Sequence, residues 1–338
     1  MIHSGIIGPG LIWEKTHRRI LSELHDEIHV AAVAARSREN QKRARQAYPD
    51  ATIYSDAREL IGDPEVEAVI ILTPISLNAA FAQAALEAGK QVIVEKPLAR
   101  SLAEAQNLYR IEEEMHLREG SAATLIVLEQ YLYKALIPEV KTLLKEGEIG
   151  TPVSFERVLH GRIAADEDLT GGYGSTSWRQ TPDFPLGNFF DGGIHEVALF
   201  QELFGPPREV FARGRSLRPD FGEIDLLTFS AIYPGDIQGT MIHSSCLGKL
   251  GDHFVIHGTK GALVVRDKEL HIRSPQDGTE SLLPFSWQCE STTMWQEILR
   301  NLREGTPPRY SRQKVLNDLA FMEALGRSLS SGASEPLA

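Results

Sequence analysis

Residues 2–13 read Ile2-His3-Ser4-Gly5-Ile6-Ile7-Gly8-Pro9-Gly10-Leu11-Ile12-Trp13. A short apolar run ends in a glycine turn, and apolar residues then recur at helical spacing from 11 to 24. The same alternation continues outward. Residues 28–35 form an apolar run and 38–48 a polar helix. Residues 66–72 are apolar and β-branched, and 77–88 are Ala-rich and helical, ending at Gly89. A strand core follows at 92–94. Ser101 is placed to cap the next helix, with Glu104 completing a capping box, and a further strand follows at 122–128. Alternation of strands and helices predicts a parallel sheet covered on both faces.

The pattern changes near residue 128. A helix is expected over 131–146, closed by Gly147. After it come mostly alternating runs at 153–162, 209–215, 226–233, 239–245, 253–256, 262–265 and 269–272, separated by turns such as Pro234-Gly235 and Asp277-Gly278. Strands in succession with short turns predict a mainly antiparallel sheet. Helical patterns at 292–304 and 311–330 end the chain, and 164–187 is a long, weakly periodic loop of the kind that often carries function. With 338 residues the chain has room for two domains. The change of pattern divides it into 1–125 and 126–338.

Lys and Arg number 35 against 46 Asp and Glu, a net charge of −11. That balance argues against a nucleic-acid surface and against an anionic membrane. Two cysteines, Cys246 and Cys289, make no disulfide framework and stand in no metal-ligand spacing. No metal is expected. The first residues lack the basic lead and long apolar core of a signal peptide, and no run is long enough to span a bilayer. A cytoplasmic protein is the expectation.

Four motifs carry chemistry. Gly8-Pro9-Gly10-Leu11-Ile12 lies between the first strand and the first helix, where a dinucleotide needs a tight turn and a helix N-terminus aimed at its pyrophosphate. Trp13 stands where the dinucleotide fingerprint has a small third residue. At the end of the second strand, an acidic residue would bond the ribose 2′-hydroxyl of NAD. This chain has Arg36-Ser37-Arg38 instead, a set suited to the 2′-phosphate of NADP. The cofactor is therefore NADP or NAD, with the basic loop favouring NADP. Glu95-Lys96-Pro97 sits at the carboxyl end of the strand core at 92–94, where a lysine can reach a substrate hydroxyl and the nicotinamide ribose. Asp191 and His195 are four residues apart and share a helical face, a plausible proton-handling pair.

Together with Leu72-Thr73-Pro74, Ala88-Gly89-Lys90-Gln91-Val92-Ile93-Val94-Glu95-Lys96-Pro97-Leu98, Gly147-Glu148-Ile149-Gly150, Ser177-Trp178-Arg179 and Gly258-Thr259-Lys260-Gly261, these motifs give a chain that resembles one family over nearly its full length. It is that of glucose–fructose oxidoreductase, inositol dehydrogenase and the rhizopine-catabolism proteins (Gfo/Idh/MocA). The resemblance implies an N-terminal Rossmann domain and a C-terminal α/β domain with a large, mainly antiparallel open sheet. The outer face of that sheet would make a homo-oligomer, a dimer or tetramer. It also implies that Lys96 orients cofactor and substrate, that Asp191 binds substrate, and that His195 exchanges the hydroxyl proton. Trp178 and Arg179 would lie at the substrate mouth. Thr73, Pro74 and Asn78, the last standing where many members carry His, would lie near the cofactor with Glu95, Lys96 and Pro97. The activity implied is hydride transfer between a nicotinamide and a small sugar-, polyol- or cyclitol-like substrate. Two alternatives within the same family are a dinucleotide-binding sensor without turnover and a glycosidase that uses bound NAD transiently.

Overall fold

The five apolar runs of the first third and one further short stretch, β3, pair side by side as parallel strands: β1 (Ile2–Ile7), β2 (Ile28–Ala34), β3 (Thr52–Tyr54), β4 (Ala68–Ile71), β5 (Gln91–Glu95) and β6 (Thr124–Leu128). Their order is β3-β2-β1-β4-β5-β6. Every residue of β4 is buried, as a strand covered by helices on both faces must be. The computed structural model describes residues 1–118, 121–161, 172–218, 222–248, 251–284 and 290–337. The expected strand end at Arg162 and the part of the expected loop from 164 to 171 lie outside the described residues, as does Cys289.

The strand register decides where a ligand would sit. Ile7 pairs with Ala34 and with Ile71, and Ile71 pairs with Val94. The next residue on each strand is Gly8, Ala35, Leu72 or Glu95. The glycine turn, the basic loop, the Thr-Pro turn and the Glu-Lys-Pro tip therefore all emerge at one edge of the sheet. This is the carboxyl edge, where open α/β sheets bind ligands.

Beyond residue 130 the chain builds a second sheet from β7 (Pro152–His160), β8 (Glu209–Arg215), β9 (Leu226–Tyr233), β10 (Ile237–Ser244), β11 (Asp252–Gly258), β12 (Gly261–Arg266), β13 (Glu269–Arg273), β14 (Glu280–Leu283) and β15 (Glu335–Pro336). The order is β14-β13-β12-β11-β7-β10-β9-β8-β15. All pairs are antiparallel except β7 with β10. The exception has a topological cause. The chain between those two strands is no hairpin: it carries the helices Ser177–Gln180, Asn188–Gly192 and Ile194–Phe204 and then β8 and β9. One face of the sheet is apolar and buried through Phe155, Ala212, Phe229, Tyr233, Met241 and Phe254. These pack on the helix Ile194–Phe204 by ring contacts such as Phe155 with Phe200 and Phe204.

The helix expected over 131–146 is in two pieces, a 3₁₀ turn at Gln130–Tyr133 and an α-helix at Leu136–Glu146, closed by Gly147 in the left-handed region. By contacts the chain forms two compact units. One is Met1–Gln130 with Ser291–Leu316, the other Tyr131–Glu290 with Asn317–Ala338. Most of the helix Glu290–Glu304 thus returns to the first unit.

Candidate active site

In the first unit the glycine turn is built for a close ligand. Gly8 has φ +80°, and a Cβ there would meet Thr73 Cγ2 at 2.8 Å and the Leu72 carbonyl oxygen at 3.1 Å. Only glycine takes this backbone without strain. A Cβ on Gly10 would meet only the Gly8 carbonyl oxygen, at 3.8 Å, so the approach to the turn is open. Leu11 and Ile12 begin the helix behind it. Trp13 then opens a π-helical turn, Trp13–His17. Its ring is fully buried, and its indole N–H donates to Tyr48 Oη at 3.4 Å. The bulky residue in the glycine motif is thus accommodated by burial against Tyr48, with the Arg18 guanidinium over its ring. A single π turn of this kind is frequent at functional sites.

Arg36, Ser37 and Arg38 are exposed at the end of β2. Ser37 caps the helix Arg38–Ala47, its hydroxyl accepting from the Asn40 N–H. Among the described residues neither Arg36 nor Arg38 has a hydrogen-bond or ion-pair partner. An open glycine cradle at the start of a helix fits a dinucleotide.

The Glu95-Lys96-Pro97 tip is clamped from two sides. Asn78 is fully buried, and its amide N–H₂ donates to the carbonyls of Glu95 (3.1 Å) and Pro97 (2.9 Å), straddling Lys96. The Thr73 hydroxyl donates to Asn78 Oδ1 at 2.8 Å, and Pro74 is the N-cap of the helix Ile75–Glu87 that carries Asn78. The Lys96–Pro97 bond is cis. On the other side the Glu95 carboxylate accepts from His17 at 2.8 Å. His17 in turn accepts from the Trp295 indole at 2.9 Å. Asn78 therefore holds the shape of the lysine tip through the backbone.

In the second unit Asp191 and His195 sit at the start of one nearly continuous helical path. Asn188–Gly192 and Ile194–Phe204 are joined by Gly193, whose own φ and ψ are helical. Asp191 Oδ2 accepts from Arg179 Nε at 2.7 Å, and the Arg179 guanidinium lies over the Trp178 ring at 3.9 Å. Trp178, Arg179 and Asp191 are thus one connected group. His195 stacks on Tyr131 with ring centroids 4.5 Å apart and planes 14° apart. The Lys134 ammonium lies 3.1 Å from the centre of the Tyr131 ring.

Beneath this group Glu196 is buried and paired with Arg157, which donates to both its carboxylate oxygens at 2.9 and 3.0 Å. Burial opposes ionisation of Glu196, but the adjacent guanidinium outweighs it and holds the carboxyl at about 2. His243, its ring edge-on to Phe189, is pushed down to about 4, chiefly by burial. Sequence reasoning did not bring forward Lys134, Arg157, Glu196, His17 or Trp295. Lys134 lies three residues from its partner Tyr131 but in no motif, and the partners of the other four are distant in the chain and follow no motif spacing.

With this geometry in place the comparisons are specific. Residues 2–121 match the oxidoreductase family with an NAD-binding Rossmann fold, and residues 137–264 match the GFO/IDH/MocA C-terminal domain. The chain belongs to this family. Among its relatives, the protein YMR315W of Saccharomyces cerevisiae is 28% identical over 78% of this chain and 74% of its own length. The scyllo-inositol 2-dehydrogenase (NADP(+)) IolW of Bacillus subtilis is 26% identical over 99% of this chain and 88% of its own. An oxidoreductase structure from Thermotoga maritima superposes with a TM-score of 0.87 at 26% identity, covering 99% of this chain and 98% of that one. The chain is thus an oxidoreductase of the Gfo/Idh/MocA family, with a dinucleotide-binding first unit and a mainly antiparallel second sheet. Among the described residues no helix is long and apolar enough to cross a membrane, and no cluster of three metal-ligating side chains is present.

Proposed function

We propose that this protein is an NADP-dependent dehydrogenase or reductase acting on a hydroxyl-bearing carbon of a sugar, polyol or cyclitol. The observation that carries the reading is the start of one helix, where Asp191 is held by Arg179 and His195 is held flat against Tyr131. A carboxylate and an imidazole set there suit proton exchange with an alcohol. When bound, the nicotinamide supplies the hydride acceptor or donor at its C4. His195 takes the hydroxyl proton during oxidation and returns it during reduction. Asp191 and Arg179 hold substrate oxygens beside it, with Trp178 as an adjoining wall. Lys96 hydrogen-bonds the substrate hydroxyl and the nicotinamide ribose. Gly8, Gly10, Leu11 and Ile12 receive the pyrophosphate, and Thr73, Pro74 and Asn78 shape the turn beside it.

The exposed pair Arg36 and Arg38 with Ser37 supports NADP over NAD, in line with the cofactor in the name of the B. subtilis relative. We further infer a homo-oligomer formed through the outer face of the second sheet, where Phe211 and Ile242 are exposed.

The test is calorimetric titration with NADP⁺ and NAD⁺, followed by a polyol, cyclitol and sugar screen read at the absorbance of the reduced nicotinamide. Tighter binding of NADP⁺ is expected, with turnover on at least one compound. Lys96→Ala and His195→Ala are each expected to lower kcat about 10²-fold or more, as loss of a proton-transfer group does. Full turnover in either variant would refute that residue's role. Cofactor binding with no redox change across the screen would favour the sensor alternative.

A further inference from the structure

We propose that His17 and Trp295 are positioning residues for the nucleotide cleft: a buried relay, Trp295–His17–Glu95, locks the tip of β5 to the helix that follows the glycine turn. The proposal rests on the reading of Lys96 given above and goes beyond it, because it assigns a role to two residues outside every motif.

The geometry defines the relay atom by atom. The Trp295 indole N–H is a donor only. It points at His17 Nδ1 over 2.9 Å, so Nδ1 must be the acceptor. The proton of the neutral ring is then on Nε2, which donates to Glu95 Oε1 at 2.8 Å. The three residues are 0%, 1% and 8% exposed, so neither bond has water as a substitute. Loss of a hydrogen bond to a buried charged group is costly. His17 ends the π turn that opens at Trp13, directly behind Gly8-Pro9-Gly10. Glu95 ends β5, and the next residue is Lys96. Trp295 comes from the helix Glu290–Glu304, and all three belong to the first unit. Asn78 already holds the backbone on either side of Lys96. The relay adds a constraint of a different kind, on the placement of that tip against the helix on which a pyrophosphate would rest.

The Nε2–H form is one that a glutamine can copy, with Oε1 accepting from Trp295 and Nε2 donating to Glu95. The relay is tested with the whole chain in two ways. Imidazole ¹⁵N NMR of the cofactor-free protein, with the His17 signal assigned by its loss in His17→Gln, is expected to show the Nε2–H tautomer. Calorimetric titration with NADP⁺ and NAD⁺ is expected to give about tenfold weaker binding of the preferred nucleotide in His17→Leu and in Trp295→Phe, the scale of a lost hydrogen bond to a charged group. His17→Gln is expected within about twofold of wild type. Should His17→Leu not fold, Trp295→Phe keeps the ring and still decides the question. An Nδ1–H tautomer would overturn the relay. So would nucleotide affinity unchanged in both Leu and Phe variants with only the melting temperature lowered. Wild-type protein that binds neither nucleotide also overturns it. Lys96→Ala is measured alongside. Unchanged turnover there rejects the reading of Lys96, while the relay stands or falls on the tautomer and the nucleotide affinities.

Discussion

The imidazole of His195 lies flat against another ring. Tyr131 stacks on it at 4.5 Å, and the Lys134 ammonium lies 3.1 Å from the Tyr131 ring centre. The contact can be tested apart from the Tyr131 hydroxyl. Tyr131→Phe is expected to keep kcat within about twofold. Tyr131→Leu is expected to lower it about three- to tenfold, the range of a lost aromatic pair. Steady-state kinetics on the substrate found by the screen decide it, and equal kcat in the Leu variant would show that the stack does not orient His195 for the proposed proton exchange. At this scale the proposed site residues were legible through the motifs taken together. Lys96, Asp191 and His195 were singled out by the family resemblance those motifs carry, and the glycines of the first turn by their place after the first strand. The residues that hold them were not legible. Tyr131 meets His195, His17 meets Trp295, and Arg157 meets Glu196 only through the fold. Side chains brought together by tertiary structure leave no local pattern. Asn78 shows a related limit. Its place after the Thr-Pro turn was readable, but its use as a two-carbonyl clamp depends on β5 lying alongside.

At the scale of elements, the buried parallel strands were readable because each is a continuous apolar run bounded by turn residues. Most strands of the second sheet were readable because β9 and β10 alternate buried with exposed residues. The short or polar strands were not. β3 has three residues, and β14 (Glu280–Leu283) is largely exposed, so neither shows a period. The break between Gln130–Tyr133 and Leu136–Glu146 was hidden because both pieces keep helical spacing. The return of 291–316 to the first unit lies outside sequence patterning too, since an amphipathic stripe shows that a helix has a partner and not which one. The joint that sets Asp191 and His195 on one path is Gly193. Its φ of −72° suits any residue, so the demand there is for space. A Cβ would meet the Phe189 ring at 2.4 Å. Gly193→Ala is expected to destabilise the protein by about 1–3 kcal/mol, the usual cost of overpacking. It should also lower kcat/KM as Phe189 pushes the joint aside. Urea denaturation checks the first effect, and an unchanged midpoint would mean that the ring moves freely.

For the molecule as a whole, two buried groups of the second unit contribute a response to acid. His243 titrates at about 4 in the folded protein against an ordinary 6.5, chiefly because burial disfavours the imidazolium. The unfolded chain therefore binds more protons between those values, and stability falls as pH drops from 6.5 to 4. Glu196 is depressed to about 2 because the Arg157 guanidinium outweighs its burial. Its contribution is complete above 4.5 and is lost between 4.5 and 2. The two windows adjoin, so the decline should be continuous from neutrality downward. Overall charge works the other way. The chain carries −11 at pH 7, and protonation of surface carboxylates relieves that repulsion. A loss of stability between pH 6.5 and 4 would thus come from buried groups against the trend of the net charge. At about 1.4 kcal/mol per pKa unit, His243 alone accounts for about 3 kcal/mol across its window. Urea denaturation at pH 7, 6, 5 and 4 is expected to show that decline in the wild type and a much flatter profile over the same range in His243→Gln. A wild-type profile already flat between pH 6.5 and 4 would mean that the native state accepts a proton at His243 without penalty, and that the pocket beside Phe189 opens to water.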